Sequence, residues 1–454
     1  MQTRGNKMEE NKTVELIPSA DRLINSLRDV GYDFPTAIAD IVDNSIDAGS
    51  TIINIDIDYD DEDAWIRIND NGKGMNCDEI LEAMRFGSEL YCYTGNGLGK
   101  FGLGLKTASI SQCRRLIVSS QSADSPDEQN AYCWDLDHIK KTNKWEVIDI
   151  GIHEIENLLS SDNSNSSGTT VIWQNLDRIL EKKKPNNLNT KIIFAALCRT
   201  LEEHLSMVFH RFLAGELPTK KVVIKLNGNA LKPWDPFFRD EENSFLMEST
   251  KLKLELETHT GIVSIHPYVL PHQNGFSSRE VFNKASGPKK WNRQQGFYIY
   301  RADRLIQSGG WCGLRTYDEH TKLARVALDF SPILDEGFKI NVSKMKVELP
   351  SQISKQVDEA IKPVLKKAQE VYRKNNPTHK VTPPVKNTDG VLPPVGIADQ
   401  KQPRSENPIG STLDKKLWSL DEFEHFLIEQ ATEIEKMVIE NLFKRLRKNK
   451  RVLP

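Results

Sequence analysis

The chain has 454 residues, 38% of them hydrophobic and 28% charged, with a formal net charge of −3. That length holds roughly three domains of ordinary size, and the charge balance excludes both a uniformly basic nucleic-acid binder and an acidic tail protein. The six cysteines (Cys77, Cys92, Cys113, Cys133, Cys198, Cys312) are spread out and never form CxxC, which argues against a disulfide framework or zinc cluster and for a reducing, cytoplasmic compartment.

The opening MQTRGNKMEENKT lacks the apolar core of a signal peptide, and no later run reaches the ~18 apolar residues of a membrane span, so no membrane contact is expected. His204 and His210 are six apart, off one helical face, and give no basis for a histidine metal site.

The first clear element is TAIADIVDNSIDA, residues 36–48. At helical spacing Ile38, Ile41, Val42 and Ile46 fall on one side, while Asp40, Asp43, Asn44 and Asp47 share the other. Asp and Asn are poor interior helix formers, the like charges repel at these spacings, and no Lys or Arg is interleaved. A solvated polar face is the plain interpretation; a cation such as Mg²⁺, which takes oxygen ligands and nucleotide phosphates, is the functional one. IINIDIDY (52–59) then alternates Ile53, Ile55, Ile57 and Tyr59 against Asn54, Asp56 and Asp58, the pattern of a half-buried strand. AWIRIND follows across an acidic turn and predicts an antiparallel pair.

Asp70 ends that second strand and opens DNGKGM, with glycines at 72 and 74. A carboxylate at a strand end can accept a hydrogen bond from an exocyclic amine such as that of adenine, and glycines let backbone approach a flat ligand; an ordinary turn has the same composition. TGNGLGKFGLGLKTAS (94–109) packs Gly95, Gly97, Gly99, Gly102 and Gly104 together. Such density exposes N–H groups for phosphate oxygens, and the helix expected to follow adds positive potential. The context fits neither of two familiar loops: YCYTGN is not a buried strand, as a dinucleotide fold needs, and Leu105 stands where a P-loop has lysine.

LIVSS (116–120) and TTVIW (169–173) predict further strands, with loops in the Ser-, Asp- and Asn-rich stretch 121–168. The class expected is α+β without a βαβ repeat. A helix near 191–213 leads to a second region in which KVVIKLNGNAL reads as two strands around Asn227 and Gly228, with GFYIYRADRLIQ and LARVALDF beside it. Residues Pro377 to Pro408 have linker composition. Leu413 to Lys450 reads as an amphipathic helix ending in the basic run KRLRKNKR, either docking on its own chain or holding a partner.

Taken in order, DIVDNSIDA, DNGKGM, GLGKFGLGLKTAS and GTTVIW resemble the four nucleotide boxes of the GHKL superfamily of gyrase, heat-shock chaperones, histidine kinases and MutL. Beyond them, HLSMVFHRFL and LNGNALKPWDPF look most like MORC-type ATPases and their bacterial relatives. The resemblance implies a Bergerat ATP-binding sandwich over 1–185, a transducer-type α+β domain over 186–372, a linker over 373–412 and a C-terminal helix over 413–454.

It also implies a site for ATP and Mg²⁺. Asn44 would hold Mg²⁺, Asp70 would take adenine, and Thr169 would join the hydrogen bonds around the base. Gly99, Lys100, Phe101, Gly102, Leu103, Gly104 and Lys106 would meet the phosphates. Asp47, Ala48, Gly72, Gly74, Met75, Gly97 and Leu98 would line the nucleotide within the same boxes. FKINVSKMKV resembles the transducer segment that reaches a lysine to the γ-phosphate, which falls on Lys346, with Lys344 in reserve. Relatives that hydrolyse ATP place Glu four residues before the box Asn, as base for the attacking water; here that residue is Asp40, one methylene shorter, with Asp43 as an alternative. The activity implied is a slow ATPase that closes or dimerises with ATP, partnered by DNA or protein, in defence against foreign DNA; a non-hydrolysing ATP-gated scaffold is the alternative.

Overall fold

A computed structural model of the protein describes residues 14, 16–29, 31–58, 64–87, 97–98, 104–156, 159, 167–179, 187–216, 221–257, 259–340 and 347–375. Gly99 to Leu103, Lys344, Lys346, residues 376–412 of the expected linker and the C-terminal helix of the sequence reading lie outside these residues, while residues 373–375 continue a helix. The chain divides into two units, residues 1–381 and 382–454, and the described residues all belong to the first.

Helices Ala20–Arg28 (α1) and Phe34–Asp47 (α2) lead into strands Ile52–Asp58 (β1) and Trp65–Asp70 (β2). Helix α2 starts where the Asp33 carboxylate accepts from Thr36 N and Pro35 occupies the first turn, so an orphan donor is capped and a missing N–H costs nothing. Cys77–Met84 (α3) and Gly104–Gln112 (α4) follow, then Arg115–Gln121 (β3) and Gln129–Asp135 (β4). Leu136–Thr142 (α5), Ile148–Asp149 (β5), Ile152–Ile155 (α6) and Gly168–Gln174 (β6) come next. Asn187–Val208 (α7) and His210–Ala214 (α8) then return the chain to Val223–Leu226 (β7) and Asn229–Ala230 (β8).

These strands form one sheet in the order β5-β4-β3-β6-β2-β1-β7-β8. The expected hairpin is present as antiparallel β1 and β2, with Ile55 opposite Ile68 and Ile53 opposite Asp70. Helices α1, α2, α4 and α7 bury one face of the sheet through Ile24, Ile38, Val42, Ala108 and Leu205 against Ile53, Ile55, Ile68 and Trp173. Full burial of each such aliphatic side chain contributes about 1.5–3 kcal/mol before entropy is counted. A smaller cluster of Ile117, Ala131, Cys133, Ile150 and Ile172 lies elsewhere on the same sheet.

Two expectations change. The stretch 121–168 contains strand β4 and helix α5, which the Ser- and Asn-rich flanks obscured. KVVIKLNGNAL does not lie beside GFYIYR: β7 pairs in parallel with β1 and extends the first sheet beyond residue 185. Four alternating residues fit the edge of either sheet, and helix α7, packed on α2, decides by returning the chain to the free edge of β1.

The second sheet comprises Phe245–Leu246 (β9), Thr250–Glu255 (β10), Thr260–Val269 (β11), Gly296–Arg301 (β12), Arg304–Ser308 (β13) and Ala324–Phe330 (β14), with helices Arg279–Ala285 (α9) and Lys290–Gln294 (α10) inserted before β12. Its order is β10-β11-β14-β12-β13, with β9 on β11. Helix Ser351–Asn375 (α11) packs on it through Ile353, Val357, Ile361, Val364 and Ala368, spaced by three and four. The turn between β12 and β13 consists of Ala302 and Asp303, both at positive φ (47° and 67°), the two-residue form whose twist suits a hairpin. Two sheets with helices packed against them, without a repeated βαβ unit, form the α+β architecture expected.

Candidate functional site

Helix α2 carries its four acidic and amide residues in two different environments. Asn44 and Asp47 are exposed, whereas Asp40 and Asp43 are buried at 2% and 0%. Buried carboxylates require compensation, and it comes from 261 residues away: Arg304 Nε donates to Asp43 Oδ1 at 2.8 Å, and another nitrogen of the same guanidinium lies 3.7 Å from Asp40 Oδ1. Tyr32 Oη donates to Asp40 Oδ2 at 2.8 Å. Burial and the Asp40 charge push the Tyr32 phenol far above its ordinary value, so it remains a donor. The cation that α2 lacks in its own sequence is therefore, for Asp40 and Asp43, an arginine of the second sheet.

At the other end of α2 the sequence readings converge on Asp70. Its carboxylate accepts from Ser45 Oγ and from Gly72 N, each at 2.8 Å. Burial raises its pKa, and the bonds from Gly72, Ser45 and the Thr169 backbone partly offset that rise. Thr169 lies opposite Asp70 across the β2–β6 ladder and shares a 2.8 Å hydrogen bond with Ser120, whose Oγ also accepts from Met75 N at 2.9 Å. Ala48 O accepts from Lys73 N at 3.0 Å, which closes the turn onto the end of α2. Two glycines are obligatory in this wall. Gly74 has φ +67° and a side chain there would meet Gln121 O at 1.8 Å; Gly168 has φ +149° and would meet Asp70 O at 2.1 Å. This is a tight, glycine-built cradle around one buried acceptor, which suits a flat ligand with an exocyclic amine.

The start of the glycine loop is held from two sides. Asp47 Oδ1 accepts from Leu98 N at 2.9 Å, and Arg301 donates to Gly97 O at 3.0 Å and to Leu98 O at 2.9 Å. Asp47 thus engages the loop. Gly104 opens α4 directly beside Asp40: a Cβ there would lie 3.5 Å from Asp40 Oδ2. Lys106 is placed differently from a surface phosphate ligand. It is 1% exposed, and its Nζ donates to Ala83 O at 2.9 Å near the C-terminal end of α3, where a cation is favoured. Burial lowers its pKa to about 8.

Asn44 presents an exposed amide one turn from Asp47. Among the described residues no group of three or more His, Cys, Asp or Glu could hold an ion alone. This donor set fits Mg²⁺, which keeps several waters and takes phosphate oxygens with only one or two protein ligands. Sequence reading missed Tyr32, Ser45, Ser120, Arg301 and Arg304. Ser45 sits inside a recognised box, but nothing in YRADR indicates that its two arginines cross to another sheet.

A mixed sheet covered by helices, an acidic helix packed on its face and a buried acid at a glycine turn are together the layout of an ATPase domain of the Bergerat type. Residues 32–169 match the family model described as histidine kinase-, DNA gyrase B-, and HSP90-like ATPase. This stretch is a GHKL-superfamily ATPase domain, with likeness to MORC ATPases.

The DNA mismatch repair protein MutL of Shewanella frigidimarina is 36% identical over 101 residues, 21% of this chain and 16% of that protein. The ATPase morc-1 of Caenorhabditis elegans is 32% identical over 83 residues, 18% of this chain and 10% of its own. MutL of Vibrio parahaemolyticus is 32% identical over 126 residues, 26% and 18% of the two chains. The match therefore spans less than a fifth of each relative. No helix among the described residues is long and apolar enough to cross a membrane.

Proposed function

We propose that the chain is a Mg-ATP-dependent conformational switch that hydrolyses ATP slowly and dimerises or closes when ATP is bound. The observation that carries this reading is the Arg301 contact with Gly97 and Leu98: these two residues are tied to the second sheet, so a nucleotide-driven shift of their backbone is transmitted there.

In this reading Asp70 accepts the adenine amine, Asn44 binds Mg²⁺, and the amides of Gly99 to Gly104 with Lys346 surround the phosphates. Mg²⁺, when bound, would neutralise charge on the phosphate oxygens. Asp40 takes a proton from water as the water oxygen bonds the γ-phosphorus and the bond to the β–γ bridging oxygen breaks, with ADP leaving. Asp40 has a shorter reach than Glu, which favours slow turnover suited to a timer. Relatives named for DNA mismatch repair support DNA as a partner, and in this reading the chain acts in the cytoplasm in defence against foreign DNA.

The test is oligomeric state with and without ATP, with phosphate release followed in the same samples. Asn44→Ala is expected to abolish ATP-dependent dimerisation; a variant that still dimerises with ATP sinks the proposal. One observation favours a non-hydrolysing scaffold as the second reading: both Asp40 oxygens already face partners, Tyr32 and Arg304. Phosphate release abolished by Asp40→Ala supports the enzyme, and no release above background from the unmodified chain supports the scaffold.

A further inference from the structure

We infer that Arg304 is a positioning residue for the Asp40 carboxylate, so that the second sheet supplies a component of the hydrolytic site itself. The inference rests on the proposed role of Asp40 as base and adds to it a requirement for a side chain outside all four nucleotide boxes.

The geometry assigns each Asp40 oxygen separately. Oδ2 receives Tyr32 Oη at 2.8 Å and lies beside the opening of α4 at Gly104, while Oδ1 faces the Arg304 guanidinium at 3.7 Å. A carboxylate gripped at one oxygen by a neutral donor can still turn; a cation facing the other oxygen defines its plane. Arg304 is itself immobilised. It is 3% exposed, donates to Asp43 Oδ1 at 2.8 Å and lies 5.7 Å from the centroid of the Phe209 ring.

Its hairpin is anchored at the turn and on β12. Arg211 donates to Asp303 at 2.9 Å and pairs with Asp329 on β14, and Arg301 makes a two-bond pair with Asp335. The arrangement also accounts for a charge problem. Asp40 and Asp43, one turn apart and buried, would be strongly disfavoured as charged groups without a counter-ion. The arginine meets that need from a separate sheet, where its presence depends on the two sheets being docked. Base geometry and sheet docking are thereby the same event, which makes hydrolysis conditional on the second domain while Asp70, Asn44 and the glycine turn bind nucleotide without it.

The test uses the full chain and two variants, Arg304→Met, which keeps length and loses charge, and Arg304→Lys, which keeps charge and loses the planar fork. ATP affinity is measured by calorimetry and kcat by phosphate release at saturating ATP. Arg304→Met is expected to lower kcat on the order of tenfold or more, as loss of an aligned base does, with Kd for ATP unchanged within about threefold. Arg304→Lys is expected to recover part of the rate.

Should Arg304→Met not fold, Arg304→Met/Asp43→Asn, which removes one carboxylate with the guanidinium, is compared with Asp43→Asn alone. Unchanged kcat in a folded variant overturns the inference, as does a proportional loss of kcat and affinity, which marks a merely structural arginine. A lysine variant no faster than the methionine one overturns it too. An unmodified chain that binds ATP but releases no phosphate removes Asp40 as base and this inference with it, an outcome separable because it is read on the unmodified chain.

Discussion

The Arg301 guanidinium holds the Asp335 carboxylate with two bonds, Nε to Oδ1 at 2.7 Å and Nη2 to Oδ2 at 2.8 Å, while Nη1 donates to the carbonyls of Gly97 and Leu98. Both side chains are buried. Truncation would leave Asp335 as a buried charge without its arginine, so Arg301→Ala is expected to cost about 3–5 kcal/mol of unfolding free energy. Urea unfolding of the first unit's signal measures it; a loss under ~1 kcal/mol, typical of surface sites, contradicts the reading.

If Asp70 takes the adenine amine as proposed, it sets stability against affinity in a single side chain. Burial raises its folded pKa above the unfolded value, so its stabilising contribution is complete below the unfolded carboxylate range and is lost as pH rises through the folded pKa. At neutral pH the ionised form works against folding. Asp70→Asn keeps an acceptor for Gly72 N and removes the buried charge, so the melting temperature without nucleotide is expected to stay level or rise. Loss of a charge-assisted bond to the adenine amine weakens ATP binding by roughly 10–100-fold. Calorimetric titration with ATP and a thermal scan on the same sample test both halves; a lower melting temperature with undiminished affinity contradicts both.

His210 makes the second sheet acid-sensitive. It is 1% exposed, its Nε2 shares a 2.8 Å bond with Tyr300, and burial is the largest cause of a pKa pushed down to about 3. The folded chain binds this proton less readily than the unfolded one, so the contribution is full above ~6.5 and is lost progressively as pH falls toward the folded pKa. His204, lowered to about 4 by burial and the nearby Arg304, acts in the same direction. Melting temperature measured from about pH 7 down to about pH 5, above most carboxylate titration, is expected to fall for the unmodified chain and to fall less for His210→Gln. Parallel slopes for the two would refute this.

Part of the candidate site was legible because its geometry is local. The carboxylate at Asp70 and the glycines at 72 and 74 form the strand-end turn that their composition predicts, while the nucleotide roles proposed for them come from the resemblance, and strand alternation placed β1, β2, β3 and β6 correctly. Strand β7 was assigned to the wrong sheet because a four-residue alternation specifies a buried face but not a neighbour. At Lys106, for which the resemblance implies a phosphate ligand, only the tertiary structure places the buried stem and brings the ammonium to Ala83 O at the end of α3.

The sequence by itself determined the α+β architecture, because periodicity and turn chemistry are short-range properties, and the order of its four boxes carried the resemblance to the GHKL ATPases, from which the roles proposed at the adenine end follow. It also registered that α2 carries more negative charge than a helix tolerates alone. Only the tertiary structure decided how that charge is met. Asn44 and Asp47 remain at the surface, while Asp40 and Asp43 are neutralised by Arg304, a partner set by the docking of two sheets and invisible to any pattern along the chain.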